Sequence, residues 1–252
     1  MVLNNMRPCV LVFSGLDPSG GAGIQADIEA IAAQGAHALP IVTALTVQDN
    51  ERVHEVVPVD AALLARQAML LVDSMPIRAV KIGIPGSLAN AETIACIVQL
   101  LRARTPTLPV VLDPVLSSGR GDPLVRGNAV AALAPLLAVA TVVTPNLPEA
   151  AALGAIDCPH LLVTGGHGPG DEVVNRWHSR DGVRDWRWPR LPGDFHGSGC
   201  TLASSLAARL ALGDPMAQAL DRAQRACNQS LADAYAISGG QRIPRRIEHR
   251  GA

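Results

Sequence analysis

The chain has 252 residues, of which 48% are hydrophobic and 17% charged, and its 21 basic residues nearly balance 22 acidic ones. That near-neutral charge argues against a nucleic-acid binder, which usually carries a strongly basic surface. The five cysteines form no C-x-x-C pair, and a core of this size needs neither disulfides nor a structural metal. No apolar run is long enough for a signal peptide or a membrane span. We therefore expect a cytoplasmic protein with no membrane or nucleic-acid partner.

Apolar runs of strand length alternate with segments of helical periodicity along most of the chain. Strands are predicted over 9–13, 39–47, 53–57, 79–84, 109–112, 140–143 and 160–163, and a hairpin over 173–177 and 183–188. Helices are predicted over 22–34, 60–74, 88–102, 128–137, 147–153, 199–211 and 215–237. This alternation is typical of one α/β domain, residues 1–252, with a mostly parallel sheet covered on both faces. The arginine-rich residues 240–252 are expected to form a mobile tail.

A glycine-rich loop, residues 14–23, follows the first predicted strand and fits neither familiar nucleotide loop. Its glycines at 15, 20, 21 and 23 depart from G-x-G-x-x-G, and Gly21 and Ala22 stand where a Walker A loop carries Lys and Ser/Thr. The loop is expected to bring backbone close to a small ligand, with Asp27 in the helix behind it. Taken alone, it is equally compatible with a tight strand–helix turn in which Asp27 complements the helix dipole.

The segment 144–150 also follows a predicted strand. Asn146 can cap the next helix and Pro148 suits its first turn, which leaves Glu149 free to reach an ion. Because ligands of parallel sheets lie at the carboxyl ends of the strands, Asp113 is expected nearby. An Asn and a carboxylate held at the strand ends can orient water and a hard cation such as Mg²⁺, which prefers oxygen ligands.

The segment 196–202 opens an apolar helix with Gly197, Ser198 and Gly199. Glycines at a helix start leave backbone N–H groups uncovered, and the helix dipole adds positive potential, so this turn predicts an anion hole. Such a hole suits a phosphoryl group that gathers negative charge in its transition state. Cys200 lies in the first turn, where a thiolate is favoured; the alternative is a small core cysteine.

Taken together, these segments resemble the hydroxymethylpyrimidine/phosphomethylpyrimidine kinases of thiamine biosynthesis. The resemblance covers roughly residues 8 to 235, in family order, and rests on 15–23, 24–27, 43–48, 81–84, 111–115, 118–124, 144–150, 165–167 and 196–202. It implies a ribokinase-like three-layer α/β/α sandwich. It also implies transfer of the ATP γ-phosphoryl group to 4-amino-5-hydroxymethyl-2-methylpyrimidine and then to its monophosphate.

The resemblance assigns roles to residues of this chain. Gly15, Asp27, Gln48, Ile84 and Val115 would contact the pyrimidine. Cys200 would be the base and Gly197, Ser198 and Gly199 would hold the transferring phosphoryl group. The nucleotide would be bound by Asn146, Thr164, Gly166 and Thr201, and Mg²⁺ by Asp113 and Glu149. A homodimer is expected, since 39–57 could form an exposed strand edge.

The chain departs from the family pattern on the nucleotide side. Thr164 stands where relatives usually carry Lys, and the stretch between Glu149 and Leu161 is shorter than expected. Arg120 and Arg176 are candidates to replace the missing charge. Two alternatives therefore stay open: a pyridoxal or pyridoxine kinase, and a non-catalytic pyrimidine-binding protein with an impaired nucleotide site.

Overall fold

The chain forms one large sheet with helices on both faces. The computed structural model describes residues 6–118, 121–122, 124 and 128–247; Arg120, one candidate for the missing charge, lies outside them, as do Gly119 and Pro123 of the 118–124 motif. The strands are β1 (Cys9–Leu16), β2 (His37–Gln48), β3 (Val53–Pro58), β4 (Ile77–Ile82), β5 (Val110–Leu112), β6 (Val142–Val143), β7 (His160–Val163), β8 (Glu172–Ser179) and β9 (Gly182–Pro189).

Within the described residues the sheet has nine strands in the order β3-β2-β1-β4-β5-β6-β7-β8-β9. The six central strands of the sheet pair in parallel; they are β2, β1, β4, β5, β6 and β7. At the two edges, β3 and the β8–β9 hairpin pair antiparallel. The parallel strands therefore end at one edge of the sheet, where the predicted motifs follow them. The predicted hairpin and the mostly parallel sheet are confirmed.

The described part of the chain has seven helices, of which the first five connect strands and the last two follow β9. They are α1 (Gly23–Ala33), α2 (Ala61–Ser74), α3 (Leu88–Arg104), α4 (Ala129–Leu137), α5 (Leu147–Leu153), α6 (Ser198–Ala211) and α7 (Met216–Ala232). One buried apolar cluster joins α2, α3 and α4 to one face of the sheet. A second joins α1, α6 and α7 to the other face. The predicted three-layer α/β/α sandwich is confirmed.

Local sequence signals set several helix starts. The side chains of Asp60, Ser87 and Asn128 accept hydrogen bonds from backbone N–H groups in the first turns of α2, α3 and α4. Each of these polar side chains satisfies a backbone donor that has no partner within its own helix. Among the described residues, no helix combines the length and the apolar character that crossing a bilayer requires.

The end of the chain differs from the prediction. Helix α7 ends at Ala232, five residues before its predicted end at 237, because the chain then reverses so that Tyr235 pairs with Ile243. Arg242 pairs in turn with Phe195, and the side chain of Arg246 is fully buried. The expectation of a mobile tail is therefore wrong for residues 240–247; the remaining residues lie outside the described part.

Candidate active site

A cavity of about 910 Å³ opens where the parallel strands end. Its lining includes residues that end or follow five neighbouring strands, among them Gly15, Gln48, Ile84, Asp113 and Thr144. This volume lies in the range of small-molecule sites. The position agrees with the rule that ligands of parallel sheets bind outside the carboxyl ends of the strands.

The first glycine-rich loop folds back toward β1. Gly23 has a left-handed φ of 57°, and a Cβ there would clash with the Gly15 carbonyl oxygen. The Asp17 carboxylate accepts hydrogen bonds from the Ser19 and Ala22 N–H groups, both 2.8 Å long. The loop is therefore held by its own aspartate and by a backbone conformation that favours glycine.

Asp17 is the carboxylate that this loop turns toward the cavity. Its Oδ2 lies 2.7 Å from Nε2 of His196. Burial raises the pKa of Asp17, but hydrogen bonds from His196, Gln48 and Ser19 outweigh it and hold that pKa well below its usual range. An ionised carboxylate and the Gln48 amide thus lie side by side on the cavity wall.

Asp27 is not part of the cavity, which corrects the expectation that it contacts the pyrimidine. It is fully buried between α1, α6 and β4, where its carboxylate lies 2.8 Å from Lys81 Nζ. Ser204 Oγ also donates to it, at 2.7 Å. Because Asp27 lies on the face of α1 that packs against α6, its side chain points into the interior.

The other residues expected on the pyrimidine side lie together. Gly15, Gln48, Ile84 and Val115 all line the cavity. A Cβ on Gly15 would lie 2.5 Å from Cδ1 of Ile84, so that isoleucine occupies the space which the glycine leaves free. The result is an apolar wall with one amide at its rim.

Helix α6 starts at the cavity without a side-chain cap. Its N-cap, Gly197, has a left-handed φ of 79°, and a Cβ there would clash with the Gly21 carbonyl oxygen. The first glycine-rich loop, residues 14–23, and the start of α6 are therefore in contact. Ser198, Gly199 and Cys200 line the cavity in the first turn, where backbone N–H groups have no intrahelical partner. The arrangement has the form of the predicted anion hole.

Cys200 lies at the floor of the cavity, near three charged side chains. Burial raises the pKa of its thiol to about 12; Lys81 lowers it, while Asp27 and Asp113 raise it further. The Gly23 N–H also hydrogen-bonds to the sulfur, and the thiol to the Asp113 carboxyl. The expectation of a favoured thiolate is therefore wrong for this ligand-free protein: the sulfur holds its proton, because burial and two carboxylates outweigh one lysine.

Two buried carboxyls face the same space. Burial raises the pKa of Asp113 to about 6, opposed by Lys81 and assisted by Asp27. Burial and the nearby Asp113 raise the pKa of Glu149 to about 7, against hydrogen bonds from backbone N–H groups. Glu149 and Asn146 form a reciprocal capping box on α5, and Asp113 Oδ2 is buried without a hydrogen-bond partner in the described structure.

On the expected nucleotide side, Asn146, Thr164 and Gly166 line the cavity. Thr201 does not, which corrects its assignment: it is buried, and its hydroxyl donates to Gly197 O and accepts from Arg246 Nε, both at 2.8 Å. In the first helical turn, Thr201 points away from the side on which Cys200 lines the cavity. Arg176 is also away from it, paired with Asp185 on the hairpin.

Arg190, which the sequence did not single out, lines the nucleotide side. It donates to the carbonyl oxygens of Gly166 and Gly168, each at 2.7 Å, and to that of Gly170. The arginine thereby holds the glycine-rich loop after β7 in place. Asp17 and Lys81 were also missed: Asp17 carries a local signal, since it lies inside the loop, but the partners of Lys81 are distant in sequence.

This fold and this site define a small-molecule kinase of the ribokinase-like class. Residues 17–158 and 152–244 match the model of the phosphomethylpyrimidine kinase family, and the chain belongs to that family. The two matched segments meet at 152–158, within the stretch where a shortening is predicted. The resemblance inferred from the sequence is thus confirmed.

Curated relatives agree along nearly the whole chain. The hydroxymethylpyrimidine/phosphomethylpyrimidine kinase of Rhizobium meliloti is 34% identical over 262 residues, covering 94% of this chain and 95% of that protein. The thiamine biosynthesis multifunctional protein ThiED of Corynebacterium efficiens is 36% identical over 255 residues. The match covers 93% of this chain but 34% of ThiED, so the chain spans about a third of that longer protein.

Solved structures agree with the fold. The phosphomethylpyrimidine kinase of Clostridium difficile superposes with a TM-score of 0.72 at 27% identity, covering 87% of this chain and 97% of that one. The pyridoxal kinase of Bacillus subtilis, solved as an ADP complex, reaches a TM-score of 0.84 at 23% identity, covering 96% and 97%. At that identity the second likeness shows the fold alone.

Proposed function

We propose that this chain transfers the γ-phosphoryl group of ATP to the hydroxymethyl group of 4-amino-5-hydroxymethyl-2-methylpyrimidine, and then to the resulting monophosphate, in thiamine biosynthesis. The observation that carries the proposal is the uncapped start of α6. Gly199 in this turn faces the Asp113 carboxylate: a Cβ added to the glycine would lie 3.6 Å from both carboxylate oxygens. Cys200 follows in the same turn. Backbone donors, a thiol and a carboxylate thus meet at one point of the cavity.

The pyrimidine side supports an aminopyrimidine substrate. Ile84 and Val115 supply apolar surface for a flat ring, and Gly15 leaves room beside it. Gln48 offers both a donor and an acceptor, which suits the amino group and ring nitrogen of this substrate. The carboxylate role expected of Asp27 passes in this proposal to Asp17, which orients Gln48 and His196 by hydrogen bonds.

Phosphoryl transfer needs mainly positioning and stabilisation of charge. The N–H groups of Ser198, Gly199 and Cys200 would bind the oxygens of the migrating phosphoryl group, aided by the helix dipole. Cys200 would accept the proton of the hydroxymethyl group. Because the sulfur is protonated in the free protein, its own proton would first pass to solvent, and Asp113 would stay ionised as a Mg²⁺ ligand. This role needs deprotonation of the thiol, which Lys81 and the N-terminus of α6 favour.

The nucleotide would lie along Asn146, Thr164 and Gly166, beside the loop that Arg190 holds. Asp113 and Glu149 fit a Mg²⁺ ion, because burial disfavours both anions and Asp113 Oδ2 lacks a hydrogen-bond partner in the described structure. Two carboxylates are sufficient, since Mg²⁺ usually keeps several waters and binds substrate phosphates. When bound, the ion would neutralise phosphate charge.

The test is to incubate the purified protein with the pyrimidine, γ-labelled ATP and Mg²⁺ and to follow label in the product. We expect labelled monophosphate and then diphosphate, and a higher kcat/KM for the pyrimidine than for pyridoxal. A higher value for pyridoxal would favour the pyridoxal kinase alternative. Pyrimidine binding without ATP binding or transfer would favour the non-catalytic alternative.

We also propose that two copies pair through β2 and β3, in the cytoplasm. Leu45, Val47 and Val57 on these strands are exposed, and β3 is an open sheet edge; such surfaces commonly mark an interface. All five cysteines are free, as a reducing compartment would keep them. Sedimentation should give a dimer for the wild-type protein and a monomer for Val47→Glu. A monomeric wild type would contradict this assembly.

A further inference from the structure

We infer that Arg246 is a positioning residue for phosphoryl transfer: it fixes the first glycine-rich loop and the start of α6 relative to each other. This inference rests on the proposed function. Arg246 lies near the end of the chain, 45 residues after Thr201 and 225 after Gly21, yet it contacts both. Its side chain is fully buried.

The guanidinium group connects the first glycine-rich loop to the start of α6. Its Nη2 donates to Gly21 O at 2.5 Å, and its Nε donates to Thr201 Oγ1 at 2.8 Å. The Thr201 hydroxyl donates in turn to Gly197 O at 2.8 Å. Arg246 thus holds the carbonyl of one loop with one nitrogen and the N-cap of α6, through Thr201, with another.

The contact that Arg246 secures leaves almost no free space. A Cβ on Gly197 would clash with Gly21 O and would lie 2.9 Å from Arg246 Nη2. The guanidinium therefore lies directly behind the anion hole, on the side away from the cavity. A positive charge there adds to the potential that the helix dipole gives the Ser198–Cys200 amides.

The charge of Arg246 is only partly balanced. Its nearest carboxylate is Glu29, at 3.2 Å and with 22% of its side chain exposed. Burying a guanidinium is unfavourable unless good hydrogen bonds replace water. The planar guanidinium of Arg246 donates such hydrogen bonds to three partners at once, Thr201, Glu29 and Gly21. The single ammonium group of a lysine cannot match this geometry.

The neighbouring Arg245 offers a matched control. It lies one residue away and is exposed, and its Nε donates to Asp233 O at 3.2 Å, far from the anion hole. Replacing Arg245 removes the same charge from the same segment without touching the first glycine-rich loop or the start of α6. Arg246→Met, Arg246→Lys and Arg245→Met therefore separate positioning at the site from general effects of charge.

The experiment measures kcat, the pyrimidine KM, thermal unfolding, and amide hydrogen exchange of residues 201–204 in the free proteins, since the α6 hydrogen bonds begin with the Thr201 N–H, which donates to Gly197 O. For Arg246→Met we expect kcat to fall by about 10-fold or more, as small misplacements of reacting groups do. The pyrimidine KM should change much less. The kcat of Arg246→Lys should lie between those of the wild type and Arg246→Met. Added methylguanidinium should partly restore the kcat of Arg246→Met. Amide exchange at the α6 start should be faster in both Arg246 variants than in the wild type. Arg245→Met should behave as wild type.

Wild-type kcat and exchange in folded Arg246 variants would overturn the inference. So would variants that do not fold, or a loss of activity that only follows the folded fraction, since either outcome makes Arg246 a stability residue. An inactive wild type would instead overturn the proposed function, and the exchange at residues 201–204 would still test the positioning.

Discussion

Lys81 and Asp27 form a fully buried ion pair, with Nζ and Oδ1 2.8 Å apart, below the thiol of Cys200. Lys81 is the single lysine in the sequence. Burial lowers its pKa, but Asp27, Cys200 and Asp113 more than compensate and hold that pKa above its usual range. Lys81 is therefore held in its charged form beneath the site, balanced by Asp27, and neither side chain is exposed to the cavity.

Replacing one partner of this pair should strongly destabilise the protein. We expect Lys81→Met or Asp27→Asn alone to reduce the free energy of unfolding by about 3–5 kcal/mol, because the other charge stays buried without its partner. The double variant should be less destabilised than the sum of the two, as measured by denaturant unfolding. Additive effects of the two substitutions on the free energy of unfolding would contradict an interaction between Lys81 and Asp27.

Asp17 and Asp27 should differ in what their loss changes. Asp17→Asn should raise the pyrimidine KM by about 10-fold, the effect of losing a hydrogen bond to a charged group, because Asp17 orients Gln48 and His196 at the cavity wall. Asp27→Asn should act mainly on stability, with a smaller change in KM for the molecules that remain folded. Steady-state kinetics of both variants checks this, and the reverse pattern would restore Asp27 to the substrate site.

Cys200 is expected to affect turnover rather than binding. Cys200→Ala should lower kcat by at least about 10²-fold, as the loss of a group that moves the substrate's proton does. Pyrimidine affinity, measured by calorimetry, should stay close to wild type. Cys96→Ala, at an exposed cysteine, is the matched control and should have normal kcat. Normal turnover in Cys200→Ala would remove the thiol from the mechanism.

Stabilisation by Mg²⁺ should increase with pH. Burial raises the pKa of Asp113 to about 6 and that of Glu149 to about 7, so the folded protein favours their protonated forms. Their ionisation therefore destabilises the metal-free fold as the pH rises from about 4 through about 7. A cation that binds the ionised forms competes with protons.

We therefore expect Mg²⁺ to raise Tm more at about pH 8 than at about pH 5. Melting curves with and without Mg²⁺ at both pH values measure the effect. Glu149→Gln should reduce both the Mg²⁺ shift and its pH dependence. An equal or larger Mg²⁺ shift at the lower pH would contradict the assignment of these carboxyls.

The sequence predicted the fold well because the signals involved are local. Asp60 and Asn128 begin their helices as expected, and the alternation of apolar runs with helical periods placed the motifs at the strand ends. The backbone of the anion hole followed in the same way from the glycines around Ser198. Each of these features depends on residues close together in the chain.

The errors concern side chains whose partners are distant in sequence. Asp27 was assigned to the substrate, yet it pairs with Lys81, 54 residues away. Arg246 was placed in a mobile tail because a charged terminal run is usually solvated, but its partners lie in α1, α6 and the first glycine-rich loop. The thiolate expected at Cys200 neglected burial, which no local pattern reveals.

The most direct test of the account is a crystal structure with the pyrimidine, Mg²⁺ and a non-hydrolysable ATP analogue bound together. The account predicts that the terminal phosphate accepts hydrogen bonds from the N–H groups of Ser198, Gly199 and Cys200. The hydroxymethyl oxygen should lie between that phosphate and the sulfur of Cys200. A terminal phosphate bound elsewhere, or a pyrimidine whose hydroxymethyl group points away from Cys200, would contradict it.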